Sequence, residues 1–232
     1  ALMRVYAENQ SKLYGEAMPR LTYRFDGFMN NETITSGTVS GAPVLTTTAT
    51  SASPVGTYPI TMTLGTLFAT NYNFELNNAS LTVGKAILKV TADNKSKNYG
   101  QVNPALTYTF TGYVNGETSL NAGVTGTPSL STSAMNNSGA GTYDITPYLG
   151  SLSAANYDFN FVNGVFTINK ALLTITAEKK NRIYGAANPL FTATATGFVN
   201  GDDLFSGAFS GNAAMATTAI GSSSPGTYPI TI

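Results

Sequence analysis

The sequence has no cysteine, no histidine and no tryptophan, and only 10% of its 232 residues are charged. Each absence removes a class of chemistry. Without imidazole or thiol there is no histidine general base, no thiolate nucleophile, and no zinc, haem or iron–sulfur site built from the usual nitrogen and sulfur ligands. A serine or threonine nucleophile would need an activating base, for which lysine is the remaining candidate, and no motif pairs the two. The chain is therefore read as non-enzymatic, with no catalytic residues and no cofactor. Twelve basic residues balance twelve acidic ones with no basic stripe, which argues against nucleic-acid partners and against capture by an anionic membrane surface. No apolar run approaches the roughly 18 residues needed to span a bilayer, so no membrane insertion by this segment is expected. The chain opens at Ala1 without a signal-peptide pattern, and the expectation is a fragment or a mature product.

What the sequence does contain is a long repeat. Tyr14-Gly15, Tyr99-Gly100 and Tyr184-Gly185 are spaced 85 residues apart, and Pro19, Pro104 and Pro189 keep the same offset without insertion. So do Gly27, Gly112 and Gly197, and the Gly-Thr-Tyr triplets at Gly56, Gly141 and Gly226. The reading is three tandem domains: 1–85, 86–170 and 171–232, the third stopping before its last two strands. A period of 85 exceeds the roughly 20–50 residues of common solenoid units and is large enough to close a small core of its own. The third copy lacks counterparts of Tyr72 to Lys85, so its core should be half open and its edge unpaired. Either the native chain continues or a neighbouring molecule supplies the missing edge.

Within each repeat the apolar period is two. Leu106, Tyr108 and Phe110 alternate with threonines, Leu21, Tyr23 and Phe25 alternate with Thr22, Arg24 and Asp26 in the first copy, and Phe191, Ala193 and Ala195 hold the same phase in the third. Asn163-Gly164 between the runs ending at Phe161 and beginning at Phe166 predicts a hairpin on a type I′ turn. About seven strands per repeat and no amphipathic helix predict an all-β chain of tandem immunoglobulin-like antiparallel β-sandwiches, with β-grasp-like repeats as the alternative. Pro59 and Pro229 fall inside strand patterns and predict an edge or a bulge there. The junctions 81–88 and 166–173 carry no Gly/Ser or Pro linker, so neighbours should be held nearly end to end, three units making a stiff rod on the order of 100 Å long.

The motifs Lys97-Asn98-Tyr99-Gly100, Asn103-Pro104-Ala105-Leu106-Thr107-Tyr108, Gly112-Tyr113-Val114-Asn115-Gly116-Glu117, Gly141-Thr142-Tyr143 and Leu152-Ser153-Ala154-Ala155-Asn156-Tyr157 resemble the MBG-type repeats named for a Tyr-Gly-X element. The resemblance covers all three copies. It implies a tandem-repeat region of an adhesin-like secreted or cell-surface protein of bacteria, extracellular and without catalytic residues. The lack of cysteine fits export without establishing it. The first copy departs from the pattern, with Met18-Pro19-Arg20 for Asn-Pro-Ala and Asn77-Asn78-Ala79 for Val-Asn-Gly.

Few residues remain as site candidates. Glu32, Glu117 and Asp202 recur, with Asp203 beside the last, and an oxygen-ligated calcium at a repeat junction is the metal they suggest. Against it stand the lack of dense Asp-x-Asp spacing and the ordinary use of acids in solvated turns. Glu8 with Lys12, Asp93 with Lys97 and Glu178 with Arg182 suggest exposed ion pairs, each worth under about 1 kcal/mol. Tyr14, Tyr99 and Tyr184 are candidates for a sugar-stacking platform, or for a corner with the ring packed and the hydroxyl on backbone. Tyr58, Tyr143 and Tyr228, in phase with Ile60, Ile145 and Ile230, read as core. Lys85 and Lys170 at strand ends raise an intramolecular Lys–Asn amide, which requires a buried carboxyl neighbour. The thr-rich run at Thr46-Thr47-Thr48 and the serines Ser222-Ser223-Ser224 could accept O-glycans, strand and loop use being the default. The expectation is a spacer, monomeric within a longer chain, that displays other domains. The competing reading is a multivalent weak binder of glycans or extracellular proteins, which should display exposed aromatics at equivalent places.

Overall fold

Alternation places Met3, Val5 and Ala7 on the buried face of β1 (Leu2–Ala7), the first of nine strands in the first repeat of a computed structural model that describes residues 1–207 and 209–232. The others are β2 (Gln10–Leu13), β3 (Tyr23–Asp26), β4 (Val39–Ser40), β5 (Val44–Thr47), β6 (Gly56–Thr63), β7 (Phe68–Ala69), β8 (Asn73–Asn77) and β9 (Ala79–Gly84). The second repeat holds β10 (Ala86–Ala92), β11 (Lys95–Asn98), β12 (Tyr108–Thr111), β13 (Ser129–Thr132), β14 (Gly141–Tyr148), β15 (Tyr157–Val162) and β16 (Gly164–Asn169). The third holds β17 (Thr174–Ala177) and β18 (Ala193–Thr196). Apart from one 3₁₀ turn at Ile34–Ser36, the regular structure of the described residues is β, so the chain is all-β and built of tandem repeats as the alternation predicts.

The first repeat has a three-stranded sheet, β3-β1-β8, and a four-stranded sheet, β2-β9-β6-β5. Most ladders are antiparallel, but β1 runs parallel to β8 and β2 parallel to β9. The cause is a shared break. The opening strand is interrupted at Glu8-Asn9 and resumes in the other sheet as β2, while the closing strand is interrupted at Asn78 and resumes as β9. The two broken strands therefore lie side by side along their whole length. Asparagine supplies what each break leaves unpaired: Asn9 Oδ1 accepts the Ser80 amide (2.9 Å) and Asn78 Oδ1 accepts the Met62 amide (2.9 Å). The second repeat repeats the pattern, with β10 parallel to β15, β11 parallel to β16, and Asn94 Oδ1 accepting the Val165 amide at 2.7 Å.

Asn163-Gly164 is thus not a hairpin turn. Residues 157–162 and 164–169 belong to different sheets, and neither Asn163 nor Gly164 has positive φ. Pro59 sits at a local edge of an otherwise interior strand. β6 lies between β9 and β5, but its pairing with β5 ends at Ile60, one residue before Pro59, so Pro59 has a ladder partner, Ser80, on one side only. Pro229 lies outside any strand.

The chain forms two compact units that cut across the repeats. The first comprises Ala1–Asp93, Thr107–Ser131 and Thr146–Asn163, joining repeat 1 to the β12-β10-β15 sheet of repeat 2. Its core takes Met3 and Val5 from one sheet of repeat 1, Ile60, Leu81 and Val83 from the other, and continues into Leu88 and Tyr157. The second comprises Asn94–Leu106, Thr132–Ile145 and Gly164–Ile232. It holds β11, β16 and most of β14, whose buried residues include Ile145, Phe166 and Ile168, and the pair β17-β18. Among the described residues β17 pairs only with β18, whereas its counterparts β1 and β10 each have a second, parallel neighbour. In this repeat Leu172, Ile183 and Leu190 are exposed, and a cavity of about 670 Å³ opens among Phe191, Tyr228 and their neighbours.

Candidate functional site at the Tyr14–Glu117–Tyr157 junction

The Tyr-Gly element follows directly on β2, and the Tyr14 amide continues that strand's parallel ladder by donating to Gly84 O at 2.8 Å. The residue two before it anchors the corner. Lys12 is buried, and its ammonium donates to three carbonyls, Ser51 O at 2.9 Å and Leu13 O and Glu16 O at 3.2 Å each. Lys97 does the same with Gln101 O (2.8 Å), Asn136 O (3.0 Å) and Met135 O (3.1 Å). Arg182 fills the role in the third repeat through Ile183, Ala186, Ile220 and Gly221 carbonyls. The expected pairing of these cations with Glu8, Asp93 and Glu178 is not made. Each of those acids instead accepts a threonine hydroxyl fourteen residues on, from Thr22, Thr107 and Thr192 respectively. Glu178 also takes Lys180 at 3.1 Å; the Thr192 bond first and Lys180 second hold its carboxyl below the usual range. The reason is geometric: in a period-two strand Lys12 and Lys97 fall on the inward face, where backbone carbonyls of two loops converge on the ammonium.

The Tyr14 ring packs edge-on against Tyr157 of the following repeat, centroids 5.7 Å apart, and Tyr157 in turn meets Tyr113 at 6.2 Å. Both Tyr14 and Tyr157 are buried. Their hydroxyls donate to the two oxygens of one carboxylate, Tyr14 to Oε1 and Tyr157 to Oε2 of Glu117, and the Tyr157 oxygen accepts the Val114 amide at 3.1 Å. Burial and then the Glu117 carboxylate push the Tyr157 phenol up to about 12, and the same carboxylate, followed by burial, raises that of Tyr14. The phenols are thus held protonated as donors.

Glu117 is positioned by a turn whose central residues Asn115 and Gly116 both have positive φ, with the Glu117 amide donating to Val114 O at 2.9 Å. This is the Asn-Gly turn chemistry expected at Asn163-Gly164, used here instead. Gly15 closes the contact from the other side. Its φ is +80°, and a Cβ built there would fall inside the Val114 side chain. Gly100 (φ +87°) stands in the same relation to Val199, so the glycines of the first two Tyr-Gly pairs are required both by backbone and by the valine each faces. Further bonds join the same repeats: the Val55 amide to Asn156 Oδ1 (3.1 Å), and Lys85 Nζ to Ala154 O (3.3 Å) and Asp158 (3.2 Å).

The other candidates fall into place around this junction. Tyr99 is half-buried and Tyr184 is exposed, so the three Tyr-Gly tyrosines do not form a common platform. The hydroxyl-to-backbone corner belongs instead to Tyr58, Tyr143 and Tyr228, which are only partly buried or exposed and donate to the carbonyls of Pro54, Gly139 and Ser224 at 2.9–3.0 Å. Both oxygens of Glu117 accept phenols, and Glu32 accepts the Tyr72 hydroxyl. Asp203 Oδ1 accepts the Phe205 amide, and the Asp202 amide closes a turn onto Val199 O. Among the described residues no three acidic side chains converge as a cation site would need. Lys85 faces an exposed Asp158 and Lys170 is exposed, so neither has the buried carboxyl an amide cross-link requires. Thr46 bonds across the sheet to Thr61 at 2.9 Å, and Ser223 Oγ accepts the Ile220 amide. No helix among the described residues is long and apolar enough to cross a membrane.

The arrangement can hold one repeat against the next; it presents no activated nucleophile and no open acid–base pair. A family model described as MBG domain (YGX type) matches residues 3–82, 88–167 and 173–232. No curated protein gives a significant match to the chain.

Proposed function

We propose that this chain, which belongs to the family of MBG domains (YGX type), is a non-catalytic spacer region of a secreted or surface-exposed, adhesin-like bacterial protein, stiffened at its repeat junctions so as to display other domains. The observation that carries the reading is the fate of Tyr14 and Glu117. The two most chemically suggestive recurrent residues of the first junction are consumed in joining repeats rather than turned toward a ligand. A single carboxylate accepting two phenols, with a glycine backed onto a valine, fixes orientation as well as contact. The exposed aromatics point the same way. Phe68, Tyr148 and Phe205 are exposed with no aromatic at the equivalent positions of other repeats, and the exposed Tyr184 and Tyr228 stand where Tyr14 is buried and Tyr58 and Tyr143 are half-buried, which is not how a repeated binding platform is built.

The test is a binding screen of the multimerised 232-residue chain against glycans and extracellular-matrix proteins, with calcium and with chelator, beside solution scattering of chains carrying increasing numbers of repeats. The spacer reading expects no saturable binding and a maximum dimension that grows by a constant increment per repeat. Saturable binding that falls as repeats are removed would make the repeats themselves the adhesive part.

A further inference from the structure

Tension along a chain of tandem repeats enters each repeat on its opening strand and leaves on its closing strand. In the second repeat these are residues 86–98 and 157–169, and both pass into the neighbouring repeats without a Gly/Ser or Pro linker. Opening and closing strands pair in parallel. β10 pairs with β15 from Ala86↔Tyr157 to Thr91↔Val162, and β11 pairs with β16 from Lys95↔Phe166 to Asn98↔Asn169. The first repeat has the same two ladders, Leu2↔Asn73 to Tyr6↔Asn77 and Gln10↔Leu81 to Leu13↔Gly84. In a parallel pair the start of one strand and the end of the other lie at opposite ends of the ladder. A pull on those two points slides the strands past each other, and every hydrogen bond of the ladder bears load at once. A pull on two points at the same end opens the bonds one after another.

Where the strands change sheets the ladder is bridged rather than broken. Asn9, on the opening strand, accepts the Ser80 amide of the closing strand, and Asn94 accepts the Val165 amide in the same way. In the first repeat, covalent continuity through Glu8-Asn9 and through Asn78 couples the two ladders, so neither slides without the other. The far end is closed by the Tyr-Gly element, the Tyr14 amide donating to Gly84 O and the Tyr99 amide to Asn169 O, each at 2.8 Å. One strand of each ladder is also held from its other side: β1 by β3, β9 by β6, β10 by β12 and β16 by β14. Met3, Val5, Leu81 and Val83 are buried on these strands, which keeps water from one face of the loaded bonds.

We propose that the first two repeats are force-bearing modules, in which the opening and closing strands form one asparagine-bridged clamp that is loaded in shear and holds the fold against tension along the chain. This function goes beyond that of a spacer, which has to separate domains but not to resist a pull. It rests on strand direction and register, not on what the repeats bind, so its failure would leave the spacer reading to the binding screen.

The experiment is single-molecule force spectroscopy of the 232-residue chain at one fixed pulling speed, because forced rupture reads the unfolding rate under load. The chain has no cysteine, so a pair of introduced cysteines gives unique handles. Ala1→Cys with Lys170→Cys loads the clamps of both repeats in shear. Ala1→Cys with Asn71→Cys pulls on the same end of β1 and β8 and unzips them. The expected rupture force is several-fold higher in shear than in unzipping. Asn9→Ala and Asn94→Ala, both at exposed positions, are expected to lower the shear force and to leave the unzipping force unchanged. Equal forces in the two geometries overturn the proposal, because the ladders would not then share the load. A shear force that both asparagine variants leave unchanged overturns it too, since the two ladders would not then act as one clamp.

Discussion

The hydroxyl of Tyr14 donates to the carboxylate of Glu117, 103 residues further along the chain and in the following repeat. Tyr157 donates to the other oxygen, so one acid side chain ties together two aromatic rings from two repeats. A hydrogen bond to a charged group is worth about 1.5–3 kcal/mol net. Tyr14→Phe keeps the ring contact and is expected to weaken the junction by about that amount. Glu117→Ala should cost more, because it strands two buried hydroxyls. Hydrogen exchange at the Val114 amide, which donates to the Tyr157 oxygen, reads the junction directly. Unchanged exchange in both variants would show that the carboxylate does not hold the repeats.

Gly15 and Gly116 both have positive φ, but only Gly15 is pressed against a neighbour. Ala in a left-handed conformation costs roughly 1–2 kcal/mol. Gly116→Ala is expected to cost that alone, whereas Gly15→Ala adds the clash with Val114 and should separate the repeats. Urea unfolding of the two variants side by side makes the comparison, and equal losses would remove the close approach as the reason for the glycine.

Lys97 has no carboxylate partner, yet its ammonium is fully engaged by three carbonyls. Lys97→Met keeps the alkyl stem and leaves those acceptors unpaired, an expected loss of about 3 kcal/mol or more. Lys97→Arg should be milder, because Arg182 occupies the equivalent place with carbonyl partners of its own. A Met variant as stable as the parent would mean that water serves these carbonyls equally well.

The all-β class and the 85-residue organisation were legible because both are one-dimensional: recurrence and period two need no knowledge of partners. The parallel ladders were not. Asn163-Gly164 reads locally as a hairpin turn, and only the pairing of residues 157–162 and 164–169 with different sheets shows that the chain changes sheets there. The spacing of Glu8 and Lys12 suggests an exposed ion pair, but a cation on the inward face of a strand meets backbone carbonyls instead, one of them, Ser51 O, from a loop 39 residues away. The recurrence of Glu117 did flag it, but as a cation ligand. Two phenols and a carboxylate separated by 40 and 103 residues make no local motif.

The raised phenols set a pH dependence of definite sign. Tyr157 titrates near 12 in the folded chain against an ordinary value of 10, so folding favours its protonated form. Its contribution is fully present below about pH 10 and is lost as pH rises toward 12. Stability measured against urea is therefore expected to fall across this interval, with tyrosinate absorbance developing late for the junction tyrosines. In Tyr157→Phe the fall should be shallower. A parent and variant with the same alkaline slope would place the titrating group elsewhere.

Tyr113 supplies the opposite kind of test, in which removing a polar atom helps. Its ring packs edge-on against Phe110 and Tyr157, and its hydroxyl is buried without a hydrogen-bond partner among the described residues. Burial, then the proximity of Tyr108, raises its phenol, which is consistent with an oxygen held away from water and from any acceptor. The equivalent positions in the other repeats carry Phe28 and Phe198, so the same location accepts a ring without the hydroxyl. Desolvating an unpaired hydroxyl costs about 1–3 kcal/mol, and removing it while keeping the ring recovers part of that. Tyr113→Phe is accordingly expected to stabilise the first compact unit by about 1 kcal/mol and to leave the Tyr14–Glu117 contact intact. Equilibrium unfolding combined with exchange at the Val114 amide separates the two effects. A destabilised variant would reveal that the Tyr113 hydroxyl bonds to an ordered water whose loss outweighs the relief.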